Sequence, residues 1–254
     1  MSGHSKWSQI KRKKAVTDAK KGQMFSKLAR IITIAAREKG GDSDSNPTLR
    51  LAIEKAKSFN MPQDNIEKAI KRGTGEIAGA KIEGCSYEAY GPGGVALIIE
   101  GSTDNKNRTF NEIRLILKKY GGKIAESGSV SYLFRRSGII SVDLTAQVDL
   151  RSDLERLEEI VIESGADDFE IIDSEEGRYL EIYTQPSDLD RIKKFLEENG
   201  VRIDSFSLGW IPQNEIKTIQ TNELERIEKL IDELTNHQDV NDVYSNLQLS
   251  KAMS

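Results

Sequence analysis

The chain has 254 residues, 37% apolar and 31% charged, with 37 Lys/Arg against 41 Asp/Glu; that allows two or three domains with buried cores under a heavily charged surface. No stretch approaches the ~18 consecutive apolar residues of a membrane-spanning helix, and the basic start MSGHSKWSQIKRKK lacks the apolar core of a secretory signal. The single cysteine, Cys85, excludes an internal disulfide and fits a reducing, cytoplasmic compartment.

The first 73 residues read as three helices. Met24, Phe25, Leu28, Ile31, Ile32, Ala35 and Ala36 share one helical face, with Lys27, Arg30 and Arg37 off it, and Gly40-Gly41 ends the helix. Asn46-Pro47 predicts a second helix, Asn as cap and Pro at the first helical position, with Leu49, Ile53 and Ala56 on its apolar face. Pro62 opens a third helix carrying Ile66, Ala69 and Ile70, closed by Gly73. Three apolar stripes predict a small bundle, and the nearly stripe-free segment before residue 20 reads as a loosely attached arm.

Beyond Gly73, TGEIAGAK reads as a linker and VALIIE (95–100) as a buried strand. Thr109 with Glu112 predicts a capping box for a helix whose face carries Phe110, Ile113, Leu117 and Tyr120, ended by Gly121-Gly122. Residues 129–134 read as a strand, making a β-α-β region. Then follow strand 138–144, helix 152–164, strands 168–173 and 178–184, helix 187–198 and strand 201–208, with Gly165 and Gly200 at helix C-caps. This β-α-β-β-α-β order is ferredoxin-like. Thr221 or Asn222 caps a last helix with Leu224, Ile227, Ile231 and Leu234 on one face, and 240–247 is a last strand. The expected class is α+β: an N-terminal three-helix bundle followed by two α+β domains, one ferredoxin-like and inserted into the other. The expected boundaries are 1–75 for the basic helical domain with its arm, 76–136 plus 207–248 for the split domain, and 137–206 for the acidic insert.

Signals of catalysis are scarce. The two histidines, His4 and His237, are far apart, and no Cys or His cluster has metal-ligand spacing. Gly91-Pro92-Gly93-Gly94 lacks the GKS/T of a phosphate loop, and a turn into the strand at Val95 accounts for it. The carboxylate pairs Glu158-Glu159, Asp167-Asp168 and Glu175-Glu176 read as a solvated face. The expectation is a non-enzyme with no catalytic residue, metal or cofactor. Charge is the stronger signal: residues 1–73 carry 17 Lys/Arg against 7 Asp/Glu, a net of +10, whereas 137–206 carry 7 against 19, a net of −12. Clustered cations favour polyanions because each neutralised phosphate releases counterions, and a tryptophan among them can stack on a base. The candidate nucleic-acid-binding residues are His4, Lys6, Trp7, Lys11, Arg12, Lys13, Lys14, Lys20, Lys21, Lys27 and Arg30. For Trp7 the alternative is packing against the bundle.

These residues also carry a resemblance. GHSKWSQIKRKKAVTDAKKGQMFSKLAR, NPTLRLAIEKAKSFNMPQDNIEKAIKRGTGE, YEAYGPGGVALIIE, TDNKNRT, GGKIAESGSVSYLF and GADDFE resemble, in order and over most of the chain, the blocks of the YebC/PmpR family, which includes the mitochondrial translational activator of cytochrome c oxidase. The resemblance implies a helical N-terminal domain and two α+β domains, one inserted in the other. It implies either a DNA-binding transcriptional regulator or a translation factor that binds the ribosome and its RNA and relieves stalling on difficult nascent sequences such as proline runs. Neither activity calls for an enzyme, a cofactor or a membrane. Gly3, His4, Ser5, Lys6, Trp7 and the 11–14 run match the family's N-terminal block. The chain departs from the family at Ile31-Ile32-Thr33, at SFSLGW (205–210) and in the acidity of its insert, which weakens any nucleic-acid role for the insert. Helices 47–59 and 62–72 could form a helix-turn-helix, but Phe59-Asn60-Met61 lacks the turn glycine and base-reading residues are few. A small-molecule sensor or enzyme using the α+β domains rests on fold analogy alone.

Overall fold

A computed structural model describes residues 18–147, 154–174, 177–216 and 220–248. In chain order the elements are α1 (Asp18–Lys39), α2 (Pro47–Ser58), α3 (Gln63–Thr74), β1 (Glu83–Tyr90), β2 (Ala96–Thr103), α4 (Lys106–Lys119), β3 (Lys123–Ile124) and β4 (Phe134–Asp143). They continue with α5 (Leu154–Glu163), β5 (Asp168–Ser174), β6 (Gly177–Thr184), α6 (Leu189–Glu198), β7 (Ser205–Pro212), α7 (Thr221–Asn236) and β8 (Val240–Ser245). The fold is α+β, with a three-helix N-terminal bundle and two antiparallel four-stranded sheets, ordered β3-β1-β2-β8 and β5-β6-β4-β7. The described residues of 13–133 and 218–245 form one compact unit, and those of 134–217 and 246–254 form a second. Among the described residues no helix is long and apolar enough to cross a membrane.

The bundle closes over Leu28, Ile32, Ala35, Leu49, Ala56 and Ile66. Fully buried Asn46 ties two helices together: its Oδ1 accepts from the Leu49 N–H at 3.1 Å, capping α2, and its Nδ2 donates to the carbonyls of Ala35 (2.9 Å) and Gly40 (2.8 Å) at the end of α1. Helix α2 ends in a Schellman pair, Asn60 N–H to Lys57 O and Met61 N–H to Ala56 O, with Asn60 at φ 57°. Asn60 thus does the work of the missing turn glycine. Pro62 is the cap of α3 and not its first residue. Gly73 lets α3 lie close on α1: a Cβ there would stand 2.5 Å from the Thr33 carbonyl oxygen.

In the same unit, β1 and β2 form a hairpin through the 91–95 turn, where Gly93 and Gly94 hold positive φ. Strand β1 escaped the sequence reading because EGCSYEAY has little apolar alternation. The strand expected at 129–134 is absent. Glu88 on β1 accepts the N–H groups of Gly128, Val130 and Ser131, so this stretch bends into a 3₁₀ turn (Ser131–Leu133) and its donors are lost to any ladder. The strand pairing with β1 at that edge is β3. Helix α4 starts a turn earlier than expected, capped by Asn105, which accepts from the Arg108 N–H at 3.0 Å. Its buried stripe is Thr109, Ile113 and Leu117, which leaves Phe110 outside the core. Helix α7 is capped by Gln220 in a reciprocal box with Glu223, not by Thr221 or Asn222.

The inserted unit runs β4-α5-β5-β6-α6-β7 with all sheet neighbours antiparallel, the ferredoxin-like order. Ile140, Val142, Leu157, Leu180, Ile192 and Leu196 fill its core. Its last strand begins at Ser205, later than expected. The pair Glu158-Glu159 lies half-buried and exposed on α5, Asp167-Asp168 is exposed, and Glu175-Glu176 lies outside the described residues.

Candidate nucleic-acid interface

Of the candidate binding residues, His4, Lys6, Trp7, Lys11, Arg12, Lys13 and Lys14 lie outside the described residues. Lys20 and Lys21 stand in the first turn of α1, and Lys21 is exposed. Lys27 and Arg30 face inward. Lys27 is buried and donates to the Thr235 carbonyl at 2.8 Å, and Gln23 donates to the Asn236 carbonyl at 2.5 Å. These are the last carbonyls of α7, orphaned at a helix C-terminus and carrying its negative dipole end, so a lysine there is stabilising. Arg30 reaches the carbonyls of Ser102 (3.1 Å) and Gln238 (3.2 Å) and the carboxylate of Asp239 (2.6 Å). The 23, 27, 30 spacing places all three on one side of α1.

Asp239 is the centre of a buried polar cluster. Its carboxylate, with no exposed side-chain surface, is met by Arg30 (2.6 Å), Arg108 (2.7 Å), Thr109 (2.7 Å) and Thr103 (3.2 Å). Burial pushes its pKa up, but the hydrogen bonds from Arg108, Thr109 and Arg30 outweigh this and hold it at about 2. Arg108, which also bonds Asp104 at 2.8 Å, has its pKa raised by the bonds to Asp239 and Asp104. His237 Nδ1 accepts the Asp239 N–H at 3.2 Å, which leaves the proton on Nε2, 2.9 Å from Glu112 Oε2.

Glu112, His237 and Asp239 bring ligand atoms within 4.8 Å of one another. They do not suit a metal, because the Asp239 oxygens are already shared between two guanidinium groups and Arg108 lies against both carboxylates. The protein's own cations fill that role. By spacing His237 stands alone and Asp239 carries no signal, because their partners Thr103, Arg108 and Thr109 lie at least 130 residues from Asp239 in the chain.

A solvent-facing cationic surface remains in the bundle. A groove of about 500 Å³ runs between α1 and α3, lined by Gly22, Phe25 and Arg30 on one side and Asn65, Lys68 and Arg72 on the other. Lys68, Lys71 and Arg72 are all exposed, and Lys68 and Arg72 are one helical turn apart. Gly22 is four residues from the start of α1, so the groove reaches the N-terminal end of that helix. A second cleft of about 690 Å³ lies between the Gly91–Gly94 turn and Gly121-Gly122, with Lys123 and Arg226 at its edge. The turn into β2 is as expected, closed by the Gly91 N–H on the Val95 carbonyl at 2.8 Å.

Two family descriptions match the chain: the TACO1/YebC protein N-terminal domain over residues 5–76, and the TACO1/YebC second and third domain over residues 82–247. A protein of Halothermothrix orenii named "Probable transcriptional regulatory protein" is 50% identical over 98% of this chain and 96% of its own length. A similarly named protein of Chlorobaculum tepidum is 46% identical over 100% of this chain and 97% of its own. The crystal structure of a conserved hypothetical protein from Aquifex aeolicus superposes with a TM-score of 0.86 at 41% identity, covering 98% of this chain and 99% of that one. On sequence and fold together, this chain is a member of the TACO1/YebC family.

Proposed function

We propose that the chain is a cytoplasmic, non-enzymatic regulator of gene expression that grips nucleic acid with its basic helical end, the domain of residues 1–75. The observation that carries this reading is the exposed set Lys68, Lys71 and Arg72 on α3, of which Lys68 and Arg72 line a groove that reaches Gly22 of α1. Cations spaced by a helical turn can neutralise successive phosphates, and each such contact adds to affinity by counterion release. Relatives named as probable transcriptional regulatory proteins support DNA as the target. The grip consists of His4, Lys6, Trp7, Lys11–Lys14, Lys20 and Lys21 with the α3 row. Lys27 and Arg30 hold α1 in place through Thr235 and Asp239.

One observation favours folded RNA, and with it a ribosome-bound translation factor, as a second reading. A helix-turn-helix reads bases with the N-terminal part of its second helix, and here that part of α3 exposes Asp64 and Glu67. Carboxylates there repel phosphate, whereas Lys71 and Arg72 lie in the helix's last turn.

The deciding test replaces Lys11, Arg12, Lys13 and Lys14 with Glu and follows binding to promoter-length duplex DNA under nonspecific competitor, in parallel with co-sedimentation with ribosomes. Loss of binding in one arm identifies the target. Wild-type-like binding in both refutes the basic end as the grip.

A further inference from the structure

Helix α4 has an outer face unlike that of a solvated helix. Its exposed residues are Lys106, Asn107, Phe110, Asn111, Arg114, Leu115, Lys118 and Lys119, with no carboxylate among them. Phe110 is 36% and Leu115 63% exposed. Lys106 and Lys119 are neutralised by Glu83 (3.2 Å) and Glu233 (2.6 Å). Arg114 and Lys118 carry no carboxylate partner among the described residues. Phe110, Arg114 and Lys118 recur at four-residue spacing and so form one row. At its head the Phe110 ring packs on Tyr87, tilted by 51° with centroids 6.0 Å apart, and the Arg114 guanidinium stands 5.9 Å from its centroid.

We infer that this face of α4 is a second nucleic-acid contact, taking an unpaired base against Phe110 and the flanking phosphates on Arg114 and Lys118. A ring held from behind by a second aromatic, with a guanidinium beside it, can stack a base of any identity. The cations of the row match a polyanion, and the one acid on the helix, Glu112, is already bonded to His237 at 2.9 Å. The helix is also firmly set. Its Arg108 and the Arg30 of α1 meet on the one Asp239 carboxylate, so α4 is anchored to the same buried cluster that fixes the bundle's first helix. The inference rests on the nucleic-acid reading above and adds to it a preference for single strands.

The test uses the full chain and two fluorescein-labelled probes, a 20-nucleotide oligouridine RNA and a duplex RNA of the same length, read by anisotropy over a salt series. Phe110→Ala is expected to weaken oligouridine binding about tenfold while leaving its salt slope and the duplex affinity unchanged. Arg114→Gln with Lys118→Gln is expected to reduce the oligouridine salt slope by about 1.4, from two contacts at ~0.7 each. Circular dichroism melting verifies that the variants fold; should Phe110→Ala melt early, Phe110→Leu keeps the packing on Tyr87 while removing the ring and must show the same selective loss. Equal loss on duplex and single strand overturns the inference, as does unchanged binding in both variants. So does a face that binds phosphatidylserine vesicles but not RNA. If Lys11–Lys14→Glu abolishes binding while the α4 variants bind like wild type, the α4 contact fails alone and the basic end stands.

Discussion

Removing the Asp239 carboxylate tests whether the basic helix α1 is fixed by charge. In Asp239→Ala, the guanidinium groups of Arg30 and Arg108 lose the acceptor they share at 2.6 and 2.7 Å. Breaking a buried pair from one side costs about 3–5 kcal/mol, and because Arg30 and Arg108 are 24% and 36% exposed the lower end, ~3 kcal/mol, applies. The carboxyl sits at about 2 in the folded chain against 3.8 for the free group. A depressed folded pKa stabilises fully above the unfolded value and loses that stabilisation as pH falls towards the folded one. The difference is worth about 2 kcal/mol at neutral pH, of which roughly 1 kcal/mol is already gone at pH 3. Urea unfolding followed by helical circular dichroism at pH 7 and pH 3 should show a penalty near 3 kcal/mol that narrows by ~1 kcal/mol in acid. Asp239→Asn should show the same narrowing, since it also removes the titrating group. A penalty that is the same at both pH values would refute the assignment of this stability to the ionised carboxylate.

Three other perturbations probe the scaffold and the grip. Asn46→Ala removes a helix cap and leaves the buried Ala35 carbonyl without its donor, so urea unfolding should report a loss of about 2 kcal/mol. Gly73→Val forces a side chain to within 2.5 Å of the Thr33 carbonyl oxygen and 2.7 Å of the Ala36 Cβ, and thermal melting should register about 1–3 kcal/mol of strain as α1 and α3 separate. Lys68→Glu with Arg72→Glu, both exposed, should leave the unfolding free energy within ~0.5 kcal/mol of wild type while lowering the duplex-DNA salt slope by about 2. An unchanged slope would take α3 out of the interface.

Elements with long apolar periodicity were legible from residues alone: the stripes of α1, α2, α3 and α7 fall where the pattern puts them, as does the β-α-β-β-α-β run. The failures share a physical cause, in that distant side chains took over local backbone groups. SVSYLF has strand propensity, yet Glu88, about 40 residues upstream, captures its N–H donors. Thr109 has the form of a helix cap, yet its hydroxyl bonds Asp239, 130 residues away, and Asn105 caps the helix. Phe110 shares a helix face with Ile113 and Leu117 by spacing, but the buried stripe centres on Thr109, Ile113 and Leu117 and leaves Phe110 at its exposed edge.

Cation content proved a poor guide to which cations face solvent. Lys27 and Arg30 belong to the most basic stretch of the chain, but the carbonyls at the end of α7 and the Asp239 carboxylate lie opposite them, so their charge is consumed inside the unit. Arg114 and Lys118 belong to α4, also a basic stretch, but their charge faces solvent beside the partly exposed Phe110 ring. A phosphate responds to the field left after internal pairing, not to the count of lysines in a window. Exposed Arg114 and Lys118, with no carboxylate partner among the described residues, are therefore a stronger candidate contact than a longer basic run whose members are already bonded. On that ground α4, together with Lys68 and Arg72 of α3, ranks above Lys27 and Arg30 as the proposed contact for a polyanion.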